Sequence, residues 1–399
     1  MEDHKYLASV GLKRYNNNGT VQCFESYGSI IFVRAMERMN NRTKMRINLG
    51  SFDLIKGSAM ILVIVAHLLK TDHFRTEEMN LMKPLFAILR SSGFIMPMFF
   101  ILSGYGFRRK AIGSMFKRTC KDMIIPYLWV MTGIAISYPL AYFTAYGKWN
   151  IALNSTICYV LAYFFGIPEY GTVIWGYSVA WISAVWYLLA LFHAFNIMNL
   201  ILYIRNMFFQ CLCVSVCVLL GYILCLHEYN YFCMAQGLMA VGFCYLGYIC
   251  KVKCMLVRGT ESIWPMLILL PIGLLHMVYG HFDLAVGEFR YGILDYLGSG
   301  SMAMLTIIAG LYIEKLEWKL LDGIRQIGMY TYWILCIHSV EAGFPQWSVL
   351  VDQFGRHQYL AFFVECALKG LLIALVCILL KKRTKYRANQ RRIKSYVIK

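Results

Sequence analysis

The 399-residue sequence contains few charged residues, and acidic residues are the scarcer kind. Only 15% of the chain is charged and 59% is apolar, whereas soluble proteins carry about 25% charged and 45–50% apolar residues. This apolar composition excludes intrinsic disorder and argues against an ordinary globular enzyme. The 39 Lys and Arg residues outnumber the 21 Asp and Glu residues, but they would suit nucleic acid only if they formed one continuous face.

Several chemical signatures are also missing from the sequence. It contains no cluster with zinc-ligand spacing and no glycine-rich nucleotide-binding loop. Most of the 14 cysteines lie within apolar runs, which is typical of small buried side chains and not of a disulfide framework. No internal repeat is evident, which disfavours a transporter built from inverted repeats. The polar, basic start does not resemble a signal peptide, and Met45 is a candidate alternative start because the organised sequence follows it.

The sequence does contain ten apolar runs, and a helix needs about 20 mostly apolar residues to cross a bilayer. These runs predict an all-α, polytopic transmembrane bundle at 47–380, with a basic segment 1–46 before it and a basic tail 381–399 after it. An eleventh run, Ile151–Ile167, is short, and we interpret it as a re-entrant or interfacial segment on the outer side. The ten runs are Leu49–Leu69, Ser91–Phe107, Met123–Tyr146, Ser183–Tyr203, Met207–Leu226, Tyr231–Cys250, Ile263–Tyr279, Ile293–Ile313, Ile327–Phe344 and Tyr359–Leu380.

The basic residues predict the orientation of these spans, because cytoplasmic loops are enriched in Lys and Arg. With ten spans and both termini in the cytoplasm, 30 basic residues fall in inner segments, seven fall in outer loops and two lie within spans. An eleventh span would move one terminus outside and remove this asymmetry. The net charge of +18 is therefore explained by topology and by contact with anionic membrane lipid, without nucleic acid.

Ionisable side chains within apolar spans mark candidate functional sites, because they are costly in lipid. Lys56 lies near the cytoplasmic end of the first run, and His67 lies eleven residues further on, which is about 16 Å along a helix. His338 falls at a similar depth in the ninth run. Two histidines at similar depth on separate helices can converge on one cavity. Imidazole is also the side chain best suited to accept a proton near neutral pH.

Two short segments have both a structural and a functional interpretation. Ser103 and Gly104 form a candidate nucleophile site, but a small-residue notch where two helices approach closely is the commoner explanation. Trp186 and Tyr187 are typical of an aromatic belt at the membrane interface, and their flat rings would also stack on a sugar. We therefore take these two aromatic residues as candidate substrate-binding residues.

Two groups of charged residues border or lie within the spans. Arg108, Arg109 and Lys110 follow the second run on the cytoplasmic side, where they anchor the helix and would also suit the phosphates of an anionic cofactor. Glu365 and Lys369 lie four residues apart in the last run. This spacing predicts a structural ion pair on one helix face.

The sequence resembles the acyltransferase-3 family of integral membrane acyltransferases from about Gly50 to Leu380. The stretch FDLIKGSAMILVIVAHL is similar to the first-helix motif of that family, in which a basic residue precedes a histidine by eleven positions. Four further stretches resemble later motifs of the family in the same order. They are FFILSGYGFRRK, VWYLLALF, AQGLMAVGFCYLGYICK and IGMYTYWILCIH.

The resemblance implies transfer of an acyl group, commonly acetyl, from cytosolic acyl-CoA to a hydroxyl of a surface carbohydrate or lipid-linked acceptor. It also implies location in a cell membrane such as the bacterial plasma membrane. His67 would be the essential histidine and the general base, with an acyl-histidine relay as the alternative. Lys56 stands where the family typically has arginine, and lysine lacks the planar two-pronged contact of arginine. Lys56 and Arg108–Lys110 would bind the phosphates of the coenzyme.

Two other classes of function remain compatible with the sequence. The protein would be a flippase or permease if it moved a glycan or a lipid-linked intermediate without chemistry. It would be a sensor if the same scaffold only bound a ligand, since a fold does not determine a function. Dependence on acyl-CoA distinguishes the enzyme from both alternatives. The sequence specifies neither the acceptor, nor the acyl length, nor the oligomeric state.

Overall fold

The computed structural model describes residues 49–70, 93–169, 171–229, 231–258, 264–313 and 318–397. These residues are mostly helical, and their only strands form two short hairpins, which confirms the predicted helical class. Segment 1–46 and the alternative start at Met45 lie outside the described residues.

Fourteen α-helices lie within the described residues. In chain order they are α1 Leu49–Lys70, α2 Ile95–Gly106, α3 Ile112–Thr119, α4 Ile125–Tyr146, α5 Trp149–Phe165, α6 Trp186–Ile201, α7 Met207–Leu226, α8 Met234–Val252, α9 Met255–Arg258, α10 Trp264–Tyr279, α11 Ile293–Ile313, α12 Lys319–Glu341, α13 Gln346–Gln353 and α14 Gln358–Val397. A π-helical turn, Cys120–Ile124, joins α3 to α4, and short 3₁₀ turns, Ser183–Val185 and Tyr231–Cys233, precede α6 and α8. The antiparallel hairpins pair β1 Val173–Ile174 with β2 Tyr177–Ser178, and β3 Phe282–Asp283 with β4 Glu288–Phe289.

A few polar and glycine residues determine where these apolar helices begin and end. The side chain of Asn206 accepts a hydrogen bond of 2.8 Å from the backbone N–H of Phe208, so it caps the start of α7. Gly147 and Gly166 follow α4 and α5 with φ angles of 67° and 63°. Glycine adopts this left-handed conformation without strain, and it is therefore a common helix terminator.

Within the described residues, six helical segments are long and apolar enough to cross a bilayer. A seventh candidate is the pair Leu321–Glu341 and Gln346–Gln353, which is bent by 73°. All ten predicted runs form helix over most of their described length, and the marginal run Ile151–Ile167 coincides with the short helix α5. The number of ten crossings and the cytoplasmic position of both termini stay predictions. The six segments are Ile112–Tyr146, Ser183–Ile201, Met207–Leu226, Tyr231–Val252, Ile293–Ile313 and Gln358–Lys382.

Two glycines bring the backbones of α1 and α12 into direct contact. A Cβ atom on Gly57 would overlap the backbone of α12, and a Cβ atom on Gly328 would overlap the carbonyl oxygen of Asp53. Small residues allow this close approach between membrane helices. Ten residues after each glycine, His67 and His338 are again in contact. The two helices therefore run parallel, which agrees with the prediction that both leave the cytoplasm.

A second pair of glycines joins α2 to α8. A Cβ atom on Gly104 would overlap the carbonyl oxygen of Cys244, and one on Gly247 would overlap that of Ile101. The hydroxyl of Ser103 forms a hydrogen bond of 2.7 Å with the hydroxyl of a tyrosine in α6. These contacts confirm the interpretation of Ser103 and Gly104 as a small-residue notch.

Replacing Gly328 with alanine is expected to destabilise the bundle, because the new methyl group meets backbone that cannot rotate away. Overpacking of this kind costs about 1–3 kcal/mol, and we expect a lower thermal unfolding midpoint of the purified protein in detergent. The matched control is Gly323→Ala in the same helix, where an added Cβ has open space. That control should unfold at the wild-type temperature or slightly above it, because alanine is the better helix former. Equal midpoints for the two variants would contradict the close contact of α1 with α12.

Candidate functional site

The two histidines predicted from the sequence meet between α1 and α12. His338 Nε2 lies 3.3 Å from His67 Nδ1, and the ring centroids are 5.1 Å apart. His338 is only 3% exposed, whereas His67 is half-buried. The predicted convergence of the two side chains is confirmed.

A carboxylate that the sequence analysis did not single out extends this pair. Glu341 is the last residue of α12, and its Oε1 atom lies 2.5 Å from His338 Nδ1. The glutamate is 6% exposed. The available signal was its position three residues after His338, which places both side chains on one helix face. Glu341 lies near the end of the predicted run Ile327–Phe344, where an interfacial charge would also lie, so the sequence did not distinguish the two.

The hydrogen bonds assign a protonation pattern to the three side chains. An ionised carboxylate only accepts hydrogen bonds, so His338 Nδ1 donates to Glu341. A neutral His338 then has an unprotonated Nε2, which accepts from His67 Nδ1. This network therefore assigns His67 the tautomer in which Nε2 is unprotonated and able to take up a proton.

Two charged residues of α14, Lys369 and Glu365, lie next to Glu341. Lys369 Nζ is 2.9 Å from Glu341 Oε2 and 3.2 Å from Glu341 Oε1, and it is 3.5 Å from Glu365 Oε1. Lys369 is 5% exposed and Glu365 is 1% exposed. The predicted pairing of Glu365 with Lys369 is confirmed, but the shorter contacts of Lys369 are with Glu341.

Two tryptophans lie beside this cluster. Trp181, which follows the β1–β2 hairpin, has its ring centroid 5.3 Å from that of His67. Trp347, in α13, lies with its ring centroid 4.5 Å from Lys369 Nζ. The indole N–H of Trp347 also donates a 3.0 Å hydrogen bond to the backbone carbonyl of Glu341.

The candidate substrate-binding residues Trp186 and Tyr187 lie inside the bundle. Trp186 is 3% exposed, and both rings pack on Phe100, with centroid distances of 6.2 and 4.7 Å. The hydroxyl of Tyr187 pairs with Ser103. Trp186 therefore does not contribute to an aromatic belt at the bundle surface, and stacking of these rings on a sugar stays a prediction.

Lys56 lies near the other end of α1 from His67. Its ammonium is 2.5 Å from the carboxylate of Asp53, three residues earlier on the same helix, and its side chain is 33% exposed. The eleven residues between Lys56 and His67 correspond to about 16 Å along the axis. Lys56 is therefore separated from His67 by half the length of α1 and lies outside the histidine cluster.

The basic cluster after α2 is attached to the end of α6. The guanidinium of Arg109 donates a 2.9 Å hydrogen bond to the carbonyl of Leu202. The side chain of Asn199 accepts from the backbone N–H of Lys110 and donates to its carbonyl, at 3.0 Å each. The side chains of Arg108 and Lys110 are exposed. These hydrogen bonds hold the loop against the end of α6.

Metal ligands do not form a cluster in the part of the chain that the structure describes. No group of three or more His, Cys, Asp or Glu side chains there could hold a metal ion.

The fold and the site define a helical membrane protein with a buried chain of two histidines and a glutamate. The family model described as an acyltransferase domain matches residues 49–382, which is most of the chain. The protein belongs to the acyltransferase-3 family, as the sequence motifs predicted. No curated protein and no solved structure matches the chain significantly.

Proposed function

We propose that the protein transfers an acyl group, commonly acetyl, from cytosolic acyl-CoA to a hydroxyl of a cell-surface carbohydrate or lipid-linked acceptor. We place this activity in a cell membrane, such as the bacterial plasma membrane. The family match supports acyl transfer, and the apolar helices support a membrane location. The observation that carries the proposed chemistry is the chain His67–His338–Glu341, with contacts of 3.3 and 2.5 Å.

The hydrogen-bonded residues His67, His338 and Glu341 are suited to removing a proton from an alcohol. Attack of a hydroxyl on a thioester needs a base, and His67 Nε2 takes the hydroxyl proton as the new C–O bond forms. The proton on His67 Nδ1 moves to His338 Nε2, where the resulting positive charge faces the Glu341 carboxylate. As the C–S bond breaks, the proton returns through His67 to the thiolate sulfur. The products are an ester and the free thiol of the coenzyme.

The basic residues at the other end of α1 and after α2 suit the donor. The exposed side chains of Arg108 and Lys110 would bind phosphate groups of acyl-CoA, and Lys56 would add a third positive charge. Arg109, whose guanidinium is bound to a backbone carbonyl, would chiefly fix the loop. The thioester would reach His67 if the flexible arm of the coenzyme extended along α1.

Acceptor-dependent consumption of acetyl-CoA is the expected activity of the purified protein in lipid nanodiscs. Incubation with radiolabelled acetyl-CoA and an extract of envelope glycans and lipids should transfer label to a product from which hydroxylamine releases it, as expected for an ester. Mass spectrometry of the envelope with and without the protein would then identify the acceptor by its missing ester. A protein that consumes no acyl-CoA, yet moves a labelled lipid-linked sugar across a vesicle membrane, would be a flippase and would overturn the proposal.

A further inference from the structure

Two charged residues of α14 take no part in the proposed proton transfer, yet they are among the most buried charged groups of the described chain. Lys369 and Glu365 are 5% and 1% exposed, and ionisable groups at such positions are costly within a membrane. One carboxylate oxygen of Glu365, Oε2, has no hydrogen-bond partner among the described residues. An ion pair between Glu365 and Lys369 alone does not explain why both residues are buried here, because the shorter contacts of Lys369 are with Glu341.

Lys369 binds both oxygens of the Glu341 carboxylate, one of which also contacts His338. An ammonium has three donors and no acceptor, and Lys369 directs its N–H groups at both oxygens of Glu341 and at Glu365. Its charge also lies over the ring of Trp347 at 4.5 Å. The indole N–H of Trp347 is in turn bound to the backbone carbonyl of Glu341. The ammonium is thus fixed between a carboxylate pair and an aromatic ring.

The charges around Glu341 show what Lys369 does for it. The titratable groups in this region come from three helices: His67 in α1, His338 and Glu341 in α12, and Glu365, Cys366 and Lys369 in α14. The small cavity beside them is otherwise aliphatic, so charge interactions are weakly screened. The aliphatic lining consists of Ile64, Ile334, Ile337, Leu372, Ile373 and Val376.

Removal of the Lys369 ammonium would change the hydrogen bonds that link Glu341, His338 and His67. Glu341 and Glu365 would then be two buried carboxylates without a cation, a state that favours the neutral acid form of one of them. A protonated Glu341 can donate to His338 Nδ1, which reverses the tautomer of His338. His67 Nδ1 would then face an N–H group instead of an acceptor. The hydrogen bonds would therefore no longer keep Nε2 of His67 unprotonated.

Glu365 balances the charge once the proton has been transferred. With His338 protonated and Glu365 ionised beside Lys369, the buried cluster contains two positive charges, His338 and Lys369, and two negative charges, Glu341 and Glu365. Before transfer the same four groups carry one net negative charge. A second buried carboxylate therefore favours the state in which the hydroxyl proton resides on His338.

We propose that Lys369 is a positioning residue of the acyl-transfer site, and that Glu365 supplies the counter-charge that balances the proton-loaded site. Lys369 acts through Glu341 and touches neither donor nor acceptor. The inference rests on the proposed function, because it assigns Lys369 a role in the same proton transfer.

Lys369→Met tests the inference with a side chain of similar length and no charge. In nanodiscs, kcat for acetyl transfer should fall about 10- to 100-fold, as for other residues that orient a functional side chain, while KM for acetyl-CoA and for the acceptor stays within about twofold of wild type. The matched control is Leu371→Met in the same helix, which is 67% exposed on the outside of the bundle and should behave as wild type. Thermal unfolding of each variant reports whether the protein is folded.

Two double variants separate a positioning role from a structural one. Glu341→Gln/Lys369→Met should be no less active than Glu341→Gln alone, because Lys369 acts through the residue already replaced. Glu365→Gln/Lys369→Met removes both charges of the α14 pair and should fold even if Lys369→Met does not. A structural pair predicts that this double variant regains wild-type kcat, and such recovery would overturn the inference. Wild-type kcat in folded Lys369→Met would overturn it too, whereas a wild-type protein that transfers no acetyl group would overturn the proposed function itself.

Discussion

His67→Ala is expected to lower the acyl-transfer rate about 10³-fold, because it removes the group that takes the hydroxyl proton. General bases contribute roughly 10²- to 10⁴-fold to enzymatic rates. The protein should still enter the membrane and fold, since His67 is only half-buried and the contact between α1 and α12 is made by Gly57 and Gly328. The measurement is the initial rate of label transfer from acetyl-CoA to the envelope extract, normalised to folded protein in nanodiscs.

A second histidine in the bundle provides the control for this variant. His193 lies in α6, and its Nε2 atom pairs with the backbone carbonyl of Phe232 at 3.1 Å, so it is a hydrogen-bonded imidazole outside the cluster. His193→Ala should retain the wild-type transfer rate. Unchanged transfer by His67→Ala would contradict the assignment of His67 as the base. Labelled acyl-enzyme trapped from acetyl-CoA without acceptor, and absent in His67→Ala, would assign His67 as a nucleophile instead.

Glu341→Gln is expected to lower kcat about 10²- to 10³-fold, although glutamine has nearly the shape of glutamate. A neutral amide does not stabilise a positive charge on His338, and its NH₂ group can face Nδ1 and select the wrong tautomer. Loss of the orienting carboxylate costs about 10⁴-fold in a serine protease triad, where the carboxylate is hydrogen-bonded to the base itself. Here it is one imidazole further from the reacting hydroxyl, so we expect a smaller loss. The measurement is kcat and KM in the same transfer assay.

The control for Glu341→Gln is an acidic residue that follows α12 in the chain. Asp352 lies in α13 with an exposed side chain, and Asp352→Asn should leave kcat unchanged. Because one partner of a buried ion pair is removed, Glu341→Gln is also expected to destabilise the protein, so rates must refer to the folded fraction. A folded Glu341→Gln with wild-type kcat would show that the carboxylate does not act in the proton transfer.

The helices were predictable because a membrane span is encoded locally. Apolar length is a property of consecutive residues, and the predicted runs Met207–Leu226 and Ile293–Ile313 coincide with α7 and α11. The structure differs from the sequence prediction in the course of one helical segment. The predicted run Ile327–Phe344 ends at a 73° bend after Glu341, which apolarity alone does not indicate.

The site was predictable only in part. His67 and His338 stood out because each is an ionisable group in an otherwise apolar run. Trp186 looked like an interfacial residue from its place at the start of a run, yet it is buried inside the bundle. Glu341 was not singled out near the end of its run, yet it is buried against His338. Residues at the ends of apolar runs have the same local sequence signal whether they face lipid, solvent or protein.

The sequence by itself determined the helical membrane class, the family and the two histidines, because each depends on composition or on a short motif. Only the tertiary structure decided which side chains act together. The contact between His67 and His338 joins residues 271 positions apart, and it exists because α1 and α12 approach closely at two glycines. The ammonium of Lys369 reaches Glu341 from a third helix. Such contacts depend on how helices pack in three dimensions, which no pattern along a single run specifies.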